Sequence, residues 1–220
     1  MDFGDDSTYN RVIFAYQTYW GRNRADAGYD RTHNFEVWTV YDAPFGKGHR
    51  FVTTGVGSQI LGVWQINNIL TAASGTPFTV EASNTILNAP GNTEVAEQVL
   101  PTVQKAKSNI GPRELWFNTT AITTPASGTF GNVSRNDMRG PGFFGWDTGL
   151  FRTFNLFSEK YQLQFRAEAI AVTNTPIFAN PGGTVGSSTF GQITSTAVSA
   201  NGVNTGGGNR VIRLALKLMF

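Results

Sequence analysis

The side chains that most often carry chemistry are few in this sequence and are not grouped. Cysteine is absent, which excludes a thiolate metal site, a disulfide framework and a Cys nucleophile. His33 and His49 are the only histidines and no Asp, Glu or His cluster surrounds them, so a metal or general-base role is a poor interpretation. Asp2, Asp5 and Asp6 lack the glycine and glutamate spacing of a calcium loop. Neither a Gly-x-Ser-x-Gly elbow nor a phosphate-binding loop occurs, and we expect no catalytic residue, no metal, no cofactor and no enzyme.

The composition is that of a folded protein with unusually little charge. Of the 220 residues, 15% are charged, against about 25% in a typical soluble domain. Aromatic residues make up 13%, which argues against intrinsic disorder. The net charge of +2 is too small to indicate a nucleic-acid partner. The uncharged stretches 51–80 and 169–209 are rich in Thr, Asn, Ser and Gly, so neither provides the ~20 apolar residues of a membrane-spanning helix.

The dominant sequence pattern is an alternation with a period of two, which is typical of β-strands. The clearest case runs from Tyr161 to Ala171, where apolar and polar residues alternate strictly. The end of the chain repeats this alternation from Ile212 to Phe220. Weaker alternation occupies Arg11–Trp20, Asn34–Ala43, Ile60–Ala72 and Trp146–Leu156. The sequence therefore predicts an all-β protein with about six strands.

The connections between these strands alternate in length. Two are short turns, at Ala43–Gly48 and Phe157–Lys160, whereas 75–144 and 174–209 are very long. Such long connections are uncommon in compact soluble domains, but transmembrane barrels have short periplasmic turns and long external loops. Aromatic side chains gather at both strand ends, as the two interfaces of a bilayer require: Phe45, Phe157, Tyr161 and Phe220 at the short-turn end, and Trp20, Phe143, Phe144 and Trp146 at the long-loop end. This pattern predicts an antiparallel transmembrane β-barrel segment with long extracellular loops.

Six strands are too few to close a barrel on their own. The smallest single-chain barrels have about eight strands, and an open sheet edge in lipid leaves N–H and C=O groups unpaired at a cost of several kcal/mol each. The sequence after Met1 also has neither the basic nor the apolar region of a signal peptide. We therefore expect an incomplete barrel. These features favour the C-terminal piece of a larger protein over one of several chains that close a barrel together.

The alternation places the side chains of the two clearest strands in opposite surroundings. We expect the polar set, Gln162, Gln164, Arg166 and Glu168, to face the lumen, with Arg166 and Glu168 forming an ion pair. We expect the apolar set to face lipid: Leu163, Phe165, Ile212, Leu214, Leu216 and Leu218. The alternative is a secreted or surface-attached β-sandwich that binds glycans through its long loops, and it would bury the apolar set in its core.

The order of several short motifs resembles a known receptor family across residues 29–220. The motifs are YDRTHNF at 29–35, VYDAPFGKG at 40–48, SGTPFT at 74–79, RGPGFFGWD at 139–147, LQFRAEA at 163–169 and FGQIT at 190–194. In this order they resemble the C-terminal barrel portion of TonB-dependent receptors, and the Oar-like group in particular. The apolar last strand that ends in Phe220 also resembles the C-terminal assembly signal of bacterial outer-membrane proteins.

The resemblance implies a plugged barrel of about 22 strands in the cell outer membrane of a Gram-negative-type bacterium. Such receptors import scarce ligands with energy relayed from the inner membrane by TonB. The implied partners are outer-membrane lipid, the barrel assembly machinery that would read Phe220, and the remaining strands and plug of the full-length receptor. Residues 1–220 would form the C-terminal part of the barrel, without plug domain or signal peptide. TonB would then act only through the missing N-terminal part.

The long connection 75–144 is the best candidate for an external ligand surface, because binding function concentrates on long loops. Within it, scattered apolar residues between Glu94 and Lys107 indicate a short helix, which Pro101 interrupts. The ligand itself is not specified by any motif in the sequence.

Overall fold

The structure is a computed structural model that describes residues 14–46, 48–52, 54–82, 87–105, 110, 114–156, 161–197, 199–200, 203–204 and 206–220. The chain divides into two compact units. The first, here called the loop unit, comprises Met1–His33, Ala73–Phe143 and Phe178–Ala197. The second, the strand unit, comprises Asn34–Ala72, Phe144–Ile177 and Val198–Phe220.

The described residues are mostly strands and irregular segments, with one short α-helix. The strands are β1 (Asn34–Asp42), β2 (Trp64–Ala73), β3 (Pro77–Phe78), β4 (Glu97–Gln98), β5 (Ile122–Thr123), β6 (Met138–Arg139), β7 (Phe143–Asn155), β8 (Gln162–Ile170), β9 (Ser199–Ala200), β10 (Val203–Asn204) and β11 (Val211–Met219). Helix α1 spans Gly55–Leu61, and 3-10 turns span Gln17–Asn23, Thr119–Ala121 and Gly206–Gly208. The prediction of an all-β, antiparallel fold is confirmed.

A five-stranded sheet in the order β1-β2-β7-β8-β11 forms the strand unit. Its strands have between nine and 13 residues, which fits the ~9–11 residues that a tilted strand needs to cross a bilayer. Strand β8 pairs antiparallel with both β7 and β11. The sheet is open within the described residues, because β1 and β11 are its two edges.

The pairing register gives this sheet one apolar face and one polar face. Leu163 lies opposite Leu218 and Phe165 opposite Leu216, whereas Glu168 lies opposite Arg213. Directly paired residues project to the same side of a sheet, so the two predicted sets do lie on opposite faces. Leu214 is 70% exposed, which a β-sandwich core would not allow. The alternative fold of a sandwich is therefore not what the described residues form.

Polar residues interrupt the apolar face at Asn68, Thr148 and Arg152, and all three form hydrogen bonds. Asn68 accepts hydrogen bonds from the indole of Trp146, at 3.2 Å, and the hydroxyl of Thr148, at 2.8 Å. Arg152 donates to the carbonyl of Ile60 at 2.5 Å. Because water is absent from a bilayer core, such internal partners allow polar groups to remain on this face.

The predicted first strand, Arg11–Trp20, is wrong within the described residues. Gln17–Asn23 forms a 3-10 turn that includes Trp20, and residues 11–13 lie outside the described part of the chain. The Asn23 side chain binds the backbone of Phe14 in both directions, at 2.9 and 2.7 Å. These two hydrogen bonds hold the segment in a turn, and the Phe14 side chain is buried in the core of the loop unit. The sheet formed by the described residues consequently has five strands rather than the predicted six.

The connections are strongly unequal, as predicted, but one differs in detail. Residues 74–142 join β2 to β7, and residues 171–210 join β8 to β11. The connection between β1 and β2 covers 43–63 and contains α1, so it is longer than the predicted turn Ala43–Gly48, and Ile60 is helical rather than part of a strand. The predicted turn Phe157–Lys160 lies outside the described residues.

The loop unit has a hydrophobic core of its own. Its centre is a cluster of fully buried side chains, namely Phe14, Val80, Val95, Ala96, Phe117, Ala121, Ile122 and Val133. Short strand pairs, β3 with β6 and β4 with β5, frame this core. The helix predicted between Glu94 and Lys107 is not formed over 94–105, the described part of that range, because Val95 and Ala96 enter the core in an extended segment that continues into β4.

Candidate functional site

An open cavity of about 800 Å³ lies within the loop unit. Its lining is dominated by charged and polar side chains. They are Arg24, Asp26, Gln98, Lys105, Ser134, Arg135, Asn136, Asp137 and Arg139, together with a few smaller residues. We call this the polar cavity. It includes residues of the predicted ligand-binding connection 75–144, joined by the segment that precedes β1.

A tight turn at Asn136 holds one wall of the polar cavity. Asn136 has a positive φ of 51°, a conformation that Asn tolerates better than most residues. Its backbone N–H donates to the Thr79 hydroxyl at 3.0 Å, and its side-chain amide donates to the Asp26 carbonyl at 2.7 Å. The turn therefore joins two segments more than 100 residues apart in the sequence, since its partner Asp26 lies 110 positions away.

Arg139 is held by two carboxylates at the edge of the polar cavity. Its guanidinium lies 2.5 Å from Asp26 and 2.7 Å from Asp30, and it also donates to the Gly75 carbonyl at 3.2 Å. Burial alone would lower the pKa of Arg139, but the hydrogen bonds to Asp30 and Asp26 raise that pKa above its ordinary value. Arg139 therefore acts as a permanent cation whose charge is balanced locally.

Arg135 lines the polar cavity, and its backbone N–H donates to the carbonyl of Arg22 at 3.4 Å. Arg135 is only 2% exposed and donates to the Asn23 carbonyl at 3.3 Å. Arg22 donates to the Val133 carbonyl, and its guanidinium carbon lies 4.3 Å from the ring centroid of Phe14. Burial lowers the pKa of Arg22, and nearby Tyr19 and Glu97 partly offset that effect. These contacts fix the floor of the cavity by charge-assisted hydrogen bonds and cation–π stacking.

The rim of the polar cavity carries exposed cations. Arg24 and Lys105 are both exposed, and the Lys105 ammonium lies 5.9 Å from the ring centroid of Trp116. The lining contains four cationic side chains and two anionic ones. With neutral donors such as Gln98 and Ser134 between them, this lining suits a polar or anionic ligand of small-molecule size.

The lumen-facing set predicted from sequence lies on the polar face of the sheet. Gln162 and Gln164 lie opposite Met219 and Lys217 across the β8–β11 pair. Arg166 donates to Gln164 at 2.8 Å and stacks over Phe151, with 5.6 Å to the ring centroid. The predicted ion pair between Arg166 and Glu168 is wrong, because Arg166 binds its other neighbour on the same face. Glu168 instead lines a small cavity of about 300 Å³ beside Asp147 and Asn67.

The lipid-facing set lies on the opposite, apolar face. Leu163, Phe165, Leu216 and Leu218 form two direct cross-strand pairs, while Ile212 and Leu214 lie opposite Ala169 and Ala167. Phe220 follows the last residue of β11 and is exposed. The assignment of lipid and lumen to the two faces, and of an assembly role to Phe220, stays a prediction.

The described residues contain no group of three or more His, Asp or Glu side chains that could hold a metal ion. His33 donates its backbone N–H to the Ser74 hydroxyl at 3.1 Å. Asp2, Asp5 and Asp6 lie outside the described residues.

The sequence does not predict the polar cavity. Its cations come from separate parts of the chain, at Arg24, Lys105 and 135–139. The only local signal is a pair of arginines four positions apart, Arg135 and Arg139, inside a long connection. The spacing alone does not indicate a site, because the partners of Arg139, Asp26 and Asp30, lie more than 100 residues away in the sequence.

Comparisons with known proteins agree with this architecture. The family model described as an outer membrane beta barrel domain matches residues 1–213. No curated protein and no solved structure matches the chain. Among the helices that the structure describes, none combines the length and the apolarity needed to cross a membrane. An antiparallel sheet with one apolar face and membrane-spanning strand lengths is what this family requires. The chain therefore belongs to the outer membrane beta barrel domain family, and its location is the outer membrane.

Proposed function

We propose that this chain is the C-terminal barrel portion of a TonB-dependent importer, similar to the Oar-like receptors, and that the polar cavity contacts the imported ligand. The observation that carries the proposal is the asymmetry of the connections. The two long connections, 74–142 and 171–210, lie at the same end of the five-stranded sheet, because they join β2 to β7 and β8 to β11. Most of their residues belong to the loop unit, which has its own core. In transmembrane barrels the long connections lie outside the cell, where a scarce ligand is first met.

In this proposal each part of the chain has a separate physical task. The apolar face of the sheet contacts lipid, and the polar face, with Gln162, Gln164, Arg166 and Glu168, lines the lumen and contacts the plug. The assembly machinery reads the last strand and Phe220. The polar cavity selects ligands through its fixed cations and neutral donors, because a preformed polar wall loses little entropy on binding.

The coupling to TonB is tested on the native polypeptide that carries Phe220, purified from outer membranes of the source cells. We expect a mass several times 23.9 kDa and saturable binding of the periplasmic domain of TonB in a pull-down or by calorimetry. If the native polypeptide has the expected larger mass and still fails to bind TonB, energy-coupled import is contradicted. Membership of the outer-membrane family would be unaffected.

The ligand contact is tested with charge reversals at the rim of the polar cavity. Arg24→Glu and Lys105→Glu change exposed side chains, so folding should be preserved while an anionic or polar ligand is repelled. We expect mass spectrometry of purified protein to recover a small molecule from the wild type and much less of it from the double variant. Arg210→Glu, an equally exposed change in the strand unit, is the matched control. Equal recovery from all three proteins would remove the polar cavity from the proposal.

A further inference from the structure

The connection between β1 and β2 exposes an unusual amount of apolar surface. Val56 is 71% exposed and Ile60 is 61% exposed, and both lie on α1. Phe45, Phe51 and Val63 add further exposed apolar side chains on either side of the helix. Monomeric proteins rarely present contiguous apolar patches of this kind to water unless the patch is an interaction surface.

The connection is a packed element rather than an open loop. Gly46 and Gly62 approach so closely that a Cβ built on Gly46 would lie 2.7 Å from the Gly62 Cα. Backbone hydrogen bonds join Val63 to the Phe45 carbonyl at 3.1 Å and Gly46 to the Phe51 carbonyl at 3.0 Å. The rings of Phe45 and Phe51 lie 6.2 Å apart. The exposed apolar side chains therefore keep a fixed arrangement.

The end of α1 is attached to the apolar face of the sheet. The Ile60 carbonyl accepts hydrogen bonds from the Trp64 indole at 2.9 Å and from Arg152 at 2.5 Å. The guanidinium carbon of Arg152 lies 4.4 Å from the Phe154 ring centroid. Arg152 is paired with Phe165 in the β7–β8 register, and Phe165 packs edge-on against Trp64 with ring centroids 6.0 Å apart. The helix thus adjoins the face that carries Phe165 and not the polar face.

The two exposed residues of α1 lie on one side of the helix. Val56 and Ile60 are four positions apart, which is one turn, whereas Ser58 between them projects to the other side. Ser58 is less exposed than either of them. The helix therefore presents a short apolar stripe outward and a polar residue inward.

We propose that residues 43–63 form a membrane-interface anchor, in which Val56, Ile60 and Phe51 enter the phospholipid leaflet at the short-connection end of the barrel. The argument for lipid as the occupant is continuity, because the apolar stripe of α1 extends the same face that an outer-membrane barrel turns to lipid. Arg50, which is exposed and lies 5.5 Å from the Phe51 ring, supplies a cation at headgroup depth. Interfacial helices bind by this combination of buried apolar area and attraction to phosphate. The proposal rests on the outer-membrane family and is independent of TonB-coupled import.

Residues 1–220 contain no cysteine, so a cysteine introduced there can be labelled selectively once any cysteine elsewhere in the native polypeptide is replaced by serine. Single variants Val56→Cys, Ile60→Cys and Ser58→Cys carry a nitroxide label each, and the protein is purified from outer membranes and reconstituted in vesicles of phosphatidylethanolamine and phosphatidylglycerol. Collision of the label with oxygen, which concentrates in lipid, is compared with collision with a water-soluble nickel chelate. Leu214→Cys serves as the lipid-facing reference and Lys217→Cys as the reference for the polar face.

Compared with the label at position 217, we expect the labels at positions 56 and 60 to be less accessible to nickel and more accessible to oxygen, at the level of the label at position 214. We expect the label at position 58 to show neither change. If the Leu214 label behaves as lipid-exposed while the labels at 56 and 60 are freely reached by nickel, the anchor is excluded and the barrel stands. If the Leu214 label is also aqueous, the lipid face is wrongly assigned and the anchor is excluded with it. Protection of positions 56 and 60 from both reagents would mean burial against protein, which also overturns the proposal.

Discussion

At the scale of single residues, Arg139 joins parts of the chain that are remote in sequence. It links β6 to Asp26 and Asp30, which lie 113 and 109 positions away, and to the backbone at Gly75. No pattern in the sequence predicts this contact, because ion pairs between distant segments depend on the whole path of the chain. The same is true of Asn23, whose side chain holds Phe14 and so prevents the strand that the alternation in Arg11–Trp20 predicts.

Replacing Arg139 should loosen the loop unit. Arg139→Gln removes two charge-assisted hydrogen bonds and leaves two carboxylates side by side, which should cost about 1–3 kcal/mol of local stability. Faster amide hydrogen exchange at Phe78 in β3 and Met138 in β6 of the purified protein would report this loss. Arg24→Gln, at an exposed position on the same cavity, should change stability by less than about 0.5 kcal/mol. Equal exchange rates in the two variants would show that the Arg139 contacts do not hold the unit together.

Gly46 and Gly48 offer a matched comparison of strain and crowding. Both have positive φ, 105° and 86°, but only at Gly46 would a Cβ meet the backbone of Gly62, while Gly48 has open space around it. Gly48→Ala should therefore cost about 1 kcal/mol from backbone strain alone, and Gly46→Ala should cost clearly more. Urea unfolding of the protein in detergent micelles measures both. A smaller effect at Gly46 than at Gly48 would contradict the close packing of this connection.

At the scale of elements, the strength of the alternation decided what could be predicted. β8 and β11 alternate cleanly, so the sequence predicts both strands and the division of their side chains into an apolar and a polar set. Their mutual register comes from the structure. β1, β2 and β7 alternate less well because polar residues such as Asn68 and Arg152 occupy the apolar face, each held by a tertiary hydrogen bond that no local pattern shows. The sequence predicts a strand at Ile60 because this residue continues the alternation of β2, so it does not indicate helix α1. In the structure Gly46 and Gly62 approach closely, and the chain turns between α1 and β2.

Charging the two faces of β11 should have opposite results. Leu214→Glu places a carboxylate on the apolar face, and a buried cation at the bilayer midplane costs about 2–4 kcal/mol, with a smaller penalty of the same sign for Glu. Ala215→Glu adds the same charge one residue later, opposite Arg166 on the polar face. We expect Leu214→Glu to lower the amount of protein found in the outer membrane and Ala215→Glu to leave it near the wild-type level. If Ala215→Glu lowered the amount in the outer membrane and Leu214→Glu did not, the apolar face would have to face the lumen and the polar face lipid.

At the scale of the whole molecule, the two edge strands of the sheet, β1 and β11, dominate behaviour outside the membrane. Within the described residues each of these strands has a sheet partner on one side only. An open sheet edge next to an exposed apolar face promotes association. Residues 1–220 produced alone in plain buffer should therefore aggregate or require detergent, as judged by size-exclusion chromatography with light scattering. A soluble, monodisperse monomer of 23.9 kDa would contradict this expectation and favour a self-contained soluble fold.

The separate core of the loop unit has a kinetic consequence for ligand capture. Side chains such as Phe14, Val80 and Phe117 hold the described segments around the polar cavity in a packed core that is independent of any ligand. Encounter then requires diffusion and orientation but no ordering of loops, and association without a conformational change is faster than association that must wait for one. In the importer that we propose, this property would matter most for a dilute ligand, because at low concentration the rate of capture, rather than residence time, limits supply.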